Sequence, residues 1–438
     1  NEYDQKKLKS SNVSAVSKKS HMATRYLQLQ HTDKTGRTSG DGRGIWNGIV
    51  KHKGITWDVS SRGTGVTCLS PGAVEANRPL KTGSTDYGYG CGLAEIDELL
   101  AAAIMAEIIH LQGINTERVL CVLDHGNGHG IGVRASPNLF RPAHMFLYIK
   151  QNRLKELKKS LDFFIDRQVK NERWEVNKTK PTYEWMLENI AKDFARFAAK
   201  LEVEYIFAWL DWDGDNVLAD AGIIDYGSIR QFGACHNHYR YDDVQRFSTS
   251  LKEQKDKAKA TVQVFAQIVE CLRKNKKIPM AKFKSHPAVK LFEQQYQLEL
   301  NNCILYRVGF NQAQRNILLK YPKLVSAFII EYQFLENLKV LAKPQKVPDG
   351  INHFPLLNIR KILAYLPEFF IHTDLDQRLL STDFYSRSVT QFAKAKDRYQ
   401  LQKIHNHIKA FQDHYAKMLK IILSHTKNQT HTLNELQF

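Results

Sequence analysis

Apolar residues recur at helical spacing through Leu93 to Leu111, LAEIDELLAAAIMAEIIHL, and good helix formers fill the run, which predicts one long early helix. Before it, Gly48 to Val59 reads as strand, and so does the start of Trp57 to Thr67, WDVSSRGTGVT, as far as Arg62. After it, Val119 to Val133 reads as a hairpin turning at the Gly-rich HGNGHG. From about residue 240 the pattern becomes helical: Lys252 to Lys274, Pro287 to Leu305, Gln312 to Leu341, Asn358 to Leu366 and Ser386 to His425. Pro344 to Gly350 (PQKVPDG) marks a turn, Asp374 to Asp383 a loop, and the tail after His425 is polar enough to fray. The expected class is α+β. A mixed sheet with one long helix reaches to about residue 150, a mostly helical part follows, and an all-α part without internal repeats ends the chain.

Composition sets the frame. At 438 residues the chain is long enough for two or three domains with full cores. Its six cysteines, at 68, 91, 121, 235, 271 and 303, are scattered without CxxC spacing, which fits a reducing, cytoplasmic compartment. No apolar run reaches membrane-spanning length, and the first twenty residues are polar and basic, so neither a membrane nor a signal peptide is expected. The formal charge of +18 suits a phosphate-bearing or acidic partner. Basic clusters at Lys252 to Lys259 and Arg273 to Lys284 fall on helical stretches with no nucleic-acid-binding motif. A solvated basic face is therefore expected over specific nucleic-acid recognition. His125 and His129 read as part of a turn, not as a metal site.

The densest chemistry is Leu210 to Gly227, LDWDGDNVLADAGIIDYG, where Asn216 stands nine residues ahead of Asp225 on a strand-turn-strand pattern. Mg²⁺ takes hard oxygen ligands and usually only one or two from protein, which Asn216 and Asp225 can supply. Asp215 is then the candidate base that orients or deprotonates a hydroxyl. A calcium loop starting at Asp211 would need Gly at its sixth position and Glu at its twelfth; these are Asn216 and Gly222. The bland alternative is a solvated acidic turn before an ordinary strand end.

Four upstream segments suit a phosphate-handling site. Ser39 to Ile45, SGDGRGI, is a Gly-rich turn in which Gly40 and Gly42 allow close backbone approach and Arg43 adds a cation; by itself it reads first as a hairpin turn. Arg62, at a strand end, can reach phosphate and pair with Glu98 on the long helix, although a helix carboxylate is often merely solvated. Arg134 and Arg141 stand seven apart around Pro137, spacing suited to a loop that closes two guanidiniums on one phosphate; two surface arginines are the plainer reading.

The order and spacing of these segments resemble the selenoprotein O (SelO, YdiU) family over roughly residues 22 to 250. Family members carry GDGRA, WELQLKGAG, a helix glutamate in IREF, a TRV…IRFG pair of arginines and NTDNMSILGLTIDYGPYG. Gly40, Gly42 and Arg43 match the first motif and Glu98 the third; Arg134, Arg141, Asp215, Asn216 and Asp225 keep the later intervals. Ile108 to Leu120, IIHLQGINTERVL, is similar to MHHLGIPTTRAL. The nucleotide-contacting Asp-Gly of the family maps near Asp86 and Gly88. Departures are Arg62 for the lysine of KGAG, a longer stretch between Arg62 and Glu98, Ala208-Trp209-Leu210 for VHG, and Ser228 for the proline after DYG.

The resemblance implies a bilobal protein-kinase-like fold. It implies a tail over 1–21, a nucleotide-binding lobe over 22–150, a lobe with the catalytic and metal segment over 151–250, and an all-α part over 251–438. It implies metal-dependent transfer of AMP from ATP, with Mg²⁺ or Mn²⁺, to Ser, Thr or Tyr hydroxyls of proteins. The nucleotide lies flipped, and Arg134 and Arg141 hold the γ-phosphate. The alternatives are conventional phosphotransfer and a catalytically silent nucleotide-binding scaffold, the latter prompted by Arg62.

Overall fold

The computed structural model describes residues 23–27, 38–65, 72, 76, 78, 80–81, 84–177, 179–208, 210, 214, 216–233, 235–240, 248–341, 354–426 and 429–436, with side chains left undescribed over 23–45. The protein is mixed α/β, with a small antiparallel sheet. Two compact units divide it. One comprises Asn1–Phe197, Ala208–Ile229 and Asp256–Glu293; the other comprises Ala198–Phe207, Arg230–Lys255 and Gln294–Phe438.

In the first unit, strands β1 (Ala23–Leu27), β2 (Thr38–His52), β3 (Ile55–Arg62), β4 (Arg118–Asp124) and β5 (Gly130–Ser136) form one sheet in the order β1-β2-β3-β5-β4. Every pairing is antiparallel, so the mixed sheet expected from sequence is corrected. Tight turns join β2 to β3 and β4 to β5, and tight turns reverse the chain. Helix α1 (Ile96–Leu111) lies in sequence between β3 and β4.

Two further expectations change. Gly48 to Val59 is not one strand, because Lys53 and Gly54 adopt left-handed φ values of 48° and 79° and turn β2 into β3. The Gly-rich Ser39 to Ile45 is not a free turn, because it runs inside β2, with Gly40 opposite Arg25 and Gly44 opposite Arg62. The register slips beside it, since Ala23 pairs with Ile45 while Arg25 pairs with Gly40, an irregularity that glycines tolerate.

Strand β3 buries its polar row. Thr56, Asp58, Ser60 and Arg62 are buried while Ile55, Trp57 and Val59 are only half-buried. Buried polar groups require partners. Asp58 and the Thr56 backbone find theirs at helix α3 (Leu154–Lys170), which follows α2 (Pro142–Lys150). Arg167 pairs with Asp58 at 2.9 Å, and Asn171, just past the helix, exchanges hydrogen bonds with the backbone of Thr56 at 2.8 and 2.9 Å. Asp58 also accepts the backbone N–H of Leu139 at 3.1 Å, which ties the strand to the segment leading into α2. Helix α4 (Thr182–Val203) contributes Trp185 to an aromatic core with Trp174 and Phe164.

The second unit holds two short antiparallel pairs, β6 (Ile206–Phe207) with β7 (Arg230–Gln231) and β8 (His238–Arg240) with β9 (Ser248–Ser250). Helices α5 (Leu251–Lys274), mostly of the first unit, and α6 (Pro287–Arg307), which spans both, follow as expected. The run Gln312 to Leu341 splits into α7 (Gln312–Leu318) and α8 (Pro322–Glu336), since Pro322 cannot continue a helix but opens one. Helix α9 (Ile359–His372) outruns its expected end at Leu366 and carries Pro367 inside it. The loop expected over Asp374 to Asp383 gives way at Ser381 to α10 (Ser381–Ser388), which is separate from α11 (Gln400–Leu423). A short helix, α12 (Gln429–Asn434), forms in the tail expected to fray. Phe328 of α8 packs on Phe411 of α11 with ring centroids 5.2 Å apart. The turn expected at Pro344 to Gly350 lies outside the described residues. Among the described residues no helix is long and apolar enough to cross a membrane, and Cys91, Cys121, Cys235, Cys271 and Cys303 are free thiols.

Candidate active site

The segment read as strand-turn-strand forms no strand among its described residues. Val217 and Ile223 meet in a single antiparallel bridge, and Asn216, Ala221 and Asp225 sit at φ 56°, 58° and 68°, where an extended ladder cannot propagate. Packing holds this turn instead. Gly214 is buried at φ 82°, and a Cβ there would stand 2.7 Å from Cβ of Pro142. Its carbonyl accepts the N–H of Ala143 at 3.2 Å, and the N–H of Ala219 reaches the carbonyl of Phe140 at 2.7 Å. Arg141, the buried N-cap residue of α2, thus lies in sequence between two anchors of the turn that carries Asn216. Asp215, the candidate base, falls outside the described residues.

The other arm of the turn is tied to the loop entering β4. Asn115 donates to the carbonyl of Asp220 at 2.8 Å and accepts the N–H of Ile223 at 2.9 Å. The Thr116 hydroxyl donates to the carbonyl of Ile223 at 2.8 Å and lies 2.5 Å from the hydroxyl of Tyr226. These bonds fix Asp225, which is half-buried at φ 68° and ψ 85° at the start of the turn Tyr226–Ser228. Burial, then the nearby Glu117 carboxylate, push the Tyr226 phenol far above its ordinary range, while Arg134 and Arg62 pull it down. The charges around Tyr226 are therefore Glu117, just before β4, and Arg134 and Arg62 of the sheet.

On the sheet, Ser60 stands opposite Arg134 and Arg62 opposite Gly132, so the two arginines are diagonal neighbours on one face. Arg134 gives a buried ion pair to Glu117, Nη1 to Oε2, at 2.5 Å. The expected pair of Arg62 with Glu98 is not formed: among the described residues Arg62 is buried and makes no ion pair. The reason lies in the helix face. Gly130 and Gly132 have no side chains, and Leu99 Cδ atoms lie 3.3 and 2.7 Å from where their Cβ atoms would stand. Leu99 therefore faces the sheet, and Glu98, one residue round the helix, is half-exposed with contacts of its own.

The remaining candidates are more dispersed. Gly40, Gly42 and Arg43 belong to β2, but the Arg43 side chain is outside the described residues. Asp86 is exposed in a turn where it accepts from the Ser84 hydroxyl at 3.2 Å. Gly88, at φ 48°, opens the 3₁₀ turn Gly88–Cys91. Among the described residues no hydrogen bond joins Asp86 or Gly88 to the Asn216–Asp225 turn.

Thr116, Glu117, Tyr226 and Asp220 were not singled out from sequence. Asp220 is buried and accepts from Asn138 at 3.2 Å, and burial pushes its carboxyl up to about 6. Their signals in the sequence, INTERVL at Ile114 to Leu120 and DYG at Asp225 to Gly227, lie far apart along the chain, and only the fold brings them together. Asn216 and Asp225 present one amide and one carboxylate oxygen on two arms bridged by the Ile224 N–H to Asn216 carbonyl bond of 3.4 Å. That donor set fits Mg²⁺, which completes its shell with water and phosphate. No group of three or more His, Cys, Asp or Glu gathers as a metal site among the described residues, and a two-ligand site falls below that count. No family model and no curated protein matches the chain.

Proposed function

We propose that the chain is a metal-dependent adenylyltransferase of bilobal protein-kinase-like architecture, resembling the selenoprotein O family, that moves AMP from ATP to Ser, Thr or Tyr hydroxyls of proteins. One observation carries the reading: the tether of Tyr226 to Thr116, which joins the residue after Asp225 to the loop entering β4, a strand of the sheet that carries Arg62 and Arg134. The sheet order, with a helix between the third and fourth strands, supports the architecture, since kinases carry their cation on the third strand and its carboxylate partner on the next helix. In this reading Asn216 and Asp225 hold Mg²⁺ or Mn²⁺, Asp215 acts as base, and Arg134 and Arg141 face the γ-phosphate. The bound metal supplies neutralisation of triphosphate charge. The protein's own residues orient the hydroxyl and decide which phosphorus it meets.

Incubating the protein with Mg²⁺ or Mn²⁺ and ATP labelled at the α or the γ position tests the proposal. Label from α-labelled ATP alone is expected on protein. Label from the γ position alone supports phosphotransfer instead. Absence of both with nucleotide binding intact supports a silent scaffold, a reading favoured by the unpaired state of Arg62 among the described residues.

A further inference from the structure

In the first unit, the amino-terminal ends of α3 and α4 and the carboxy-terminal end of α5 enclose an open cleft of about 500 Å³. Local signals stop the three helices there. Asn152 takes a left-handed φ of 56° shortly before α3, and Asn275, at φ 48°, ends α5. Pro181 precedes α4 and gives its carbonyl to the N–H of Trp185 at 3.0 Å. The floor of the cleft is apolar: Val269 is buried, Leu154 and Leu272 are half-buried, and Pro181 is exposed. Single exposed apolar side chains are ordinary on a protein surface, but a concave group of this volume has the size and lining of a binding site.

The rim is basic. Lys155, Lys158 and Arg273 line it, with Glu184 the acidic residue among them. Lys158 and Arg273 each meet a carboxylate of their own helix at 2.7 Å, Asp162 and Glu270, whereas Lys155 takes no acid partner among the described residues. Lys274, Lys276 and Lys277 are exposed where the chain leaves α5. The basic cluster expected to form a solvated face thus begins at the edge of an apolar cleft. The amino-terminal ends of α3 and α4 add the positive ends of their helix dipoles.

Charge and lining together select the occupant. Single-stranded nucleic acid is held by aromatic platforms. Here the aromatic ring is Tyr183, whose hydroxyl is held by Asp162 at 2.7 Å and whose ring carries Lys158 at 5.9 Å. A bilayer takes apolar side chains that project into it, not a recess. We infer that the cleft docks a partner protein through a segment that seats one large apolar side chain on this floor and sets Asp or Glu against Lys155, Lys158 and Arg273. Such docking needs neither ATP nor metal, so the inference is independent of the transfer reading above.

Fluorescence anisotropy on the full chain, without nucleotide or metal, tests it with a set of short labelled peptides. Each has Leu, Ile, Phe or Trp at its centre and Asp and Glu on both sides, and each is matched by the same peptide with Ala at the centre. An anchored peptide should bind about tenfold or more tighter than its Ala match, the scale of burying one large apolar side chain. Reversing the two exposed rim charges, Lys155→Glu with Arg273→Glu, should weaken it about tenfold or more, and added salt should weaken it too. Leu272→Ser should erase the preference for the anchor. Unmoved melting curves show that these variants fold. No peptide bound, anchored and Ala peptides bound alike, binding indifferent to the charge reversals, or an anchor preference kept in Leu272→Ser overturns the inference. So does failure of the peptides beside capture of a single-stranded RNA or of phosphatidylserine vesicles that depends on Lys155 and Arg273, which assigns the rim to nucleic acid or to membrane.

Discussion

The hydroxyl oxygens of Thr116 and Tyr226 lie 2.5 Å apart, and because Thr116 donates to the carbonyl of Ile223, Tyr226 is the donor of the pair. This short chain of bonds joins the loop before β4 to the residue after Asp225. Tyr226→Phe should therefore cost about 1 kcal/mol of stability and Thr116→Val, which also strips the Ile223 carbonyl, somewhat more. The costs of the two should not add in the double variant, because both report one network. Urea unfolding at constant slope measures this; strictly additive losses would show that the two hydroxyls act separately.

Asp225 and Asp215 are expected to separate binding from turnover. Asp225→Ala should abolish divalent-dependent ATP binding together with transfer, whereas Asp215→Ala should bind ATP normally and lose only turnover, since a base acts in the transition state and a ligand in both states. Titration of ATP with and without Mg²⁺ on the two variants checks the division. Equal loss of binding in both would show that the roles are not divided in this way.

Gly63 follows Arg62 at φ 82°, and a Cβ there would stand 2.1 Å from the carbonyl oxygen of Gly130. Backbone cannot yield as a side chain does, so Gly63→Ala should cost at least about 1 to 3 kcal/mol and lower the melting temperature. Gly54→Ala is the control: it shares a left-handed φ of 79° but has open space around it, so it should suffer the conformational cost alone. Indistinguishable melting curves for the two would mean that β3 and β5 approach less closely than described.

Asp220 should make stability depend on pH in a definite direction. Burial raises its carboxyl from 3.8 to about 6 in the folded protein, so the folded state prefers the neutral acid. That preference is fully present below about pH 4 and is lost as pH rises through about 6. Asp220→Asn keeps an oxygen for Asn138 and has no charge to bury. Between those limits the wild type should lose up to about 3 kcal/mol relative to the variant. Parallel stability profiles from pH 4 to 7 would show that Asp220 is ionised in the fold without penalty.

The one-dimensional pattern determined the elements whose cause is local. Helix α1, the hairpin of β4 and β5 and helices α5 and α6 follow from periodicity and turn residues, and Gly, Asn and Asp marked the turn that holds Asn216 and Asp225. Only the tertiary structure decided which face of each element turned inward. Strand β3 reads as Ile55, Trp57 and Val59 against Thr56, Asp58, Ser60 and Arg62, and period alone assigns the apolar set to the core. The fold buries the polar set, and Arg167 and Asn171, more than a hundred residues downstream, meet its Asp58 carboxylate and the Thr56 backbone. The same non-local accounting gave Arg134 to Glu117 and left Arg62 beside Gly132, since Leu99 fills the space above the sheet glycines and Glu98 is turned aside. Residue types and spacings carry the chemistry a site can hold, but partnership among charges is settled by burial, where each must find its counter-charge among whatever the packing brings near.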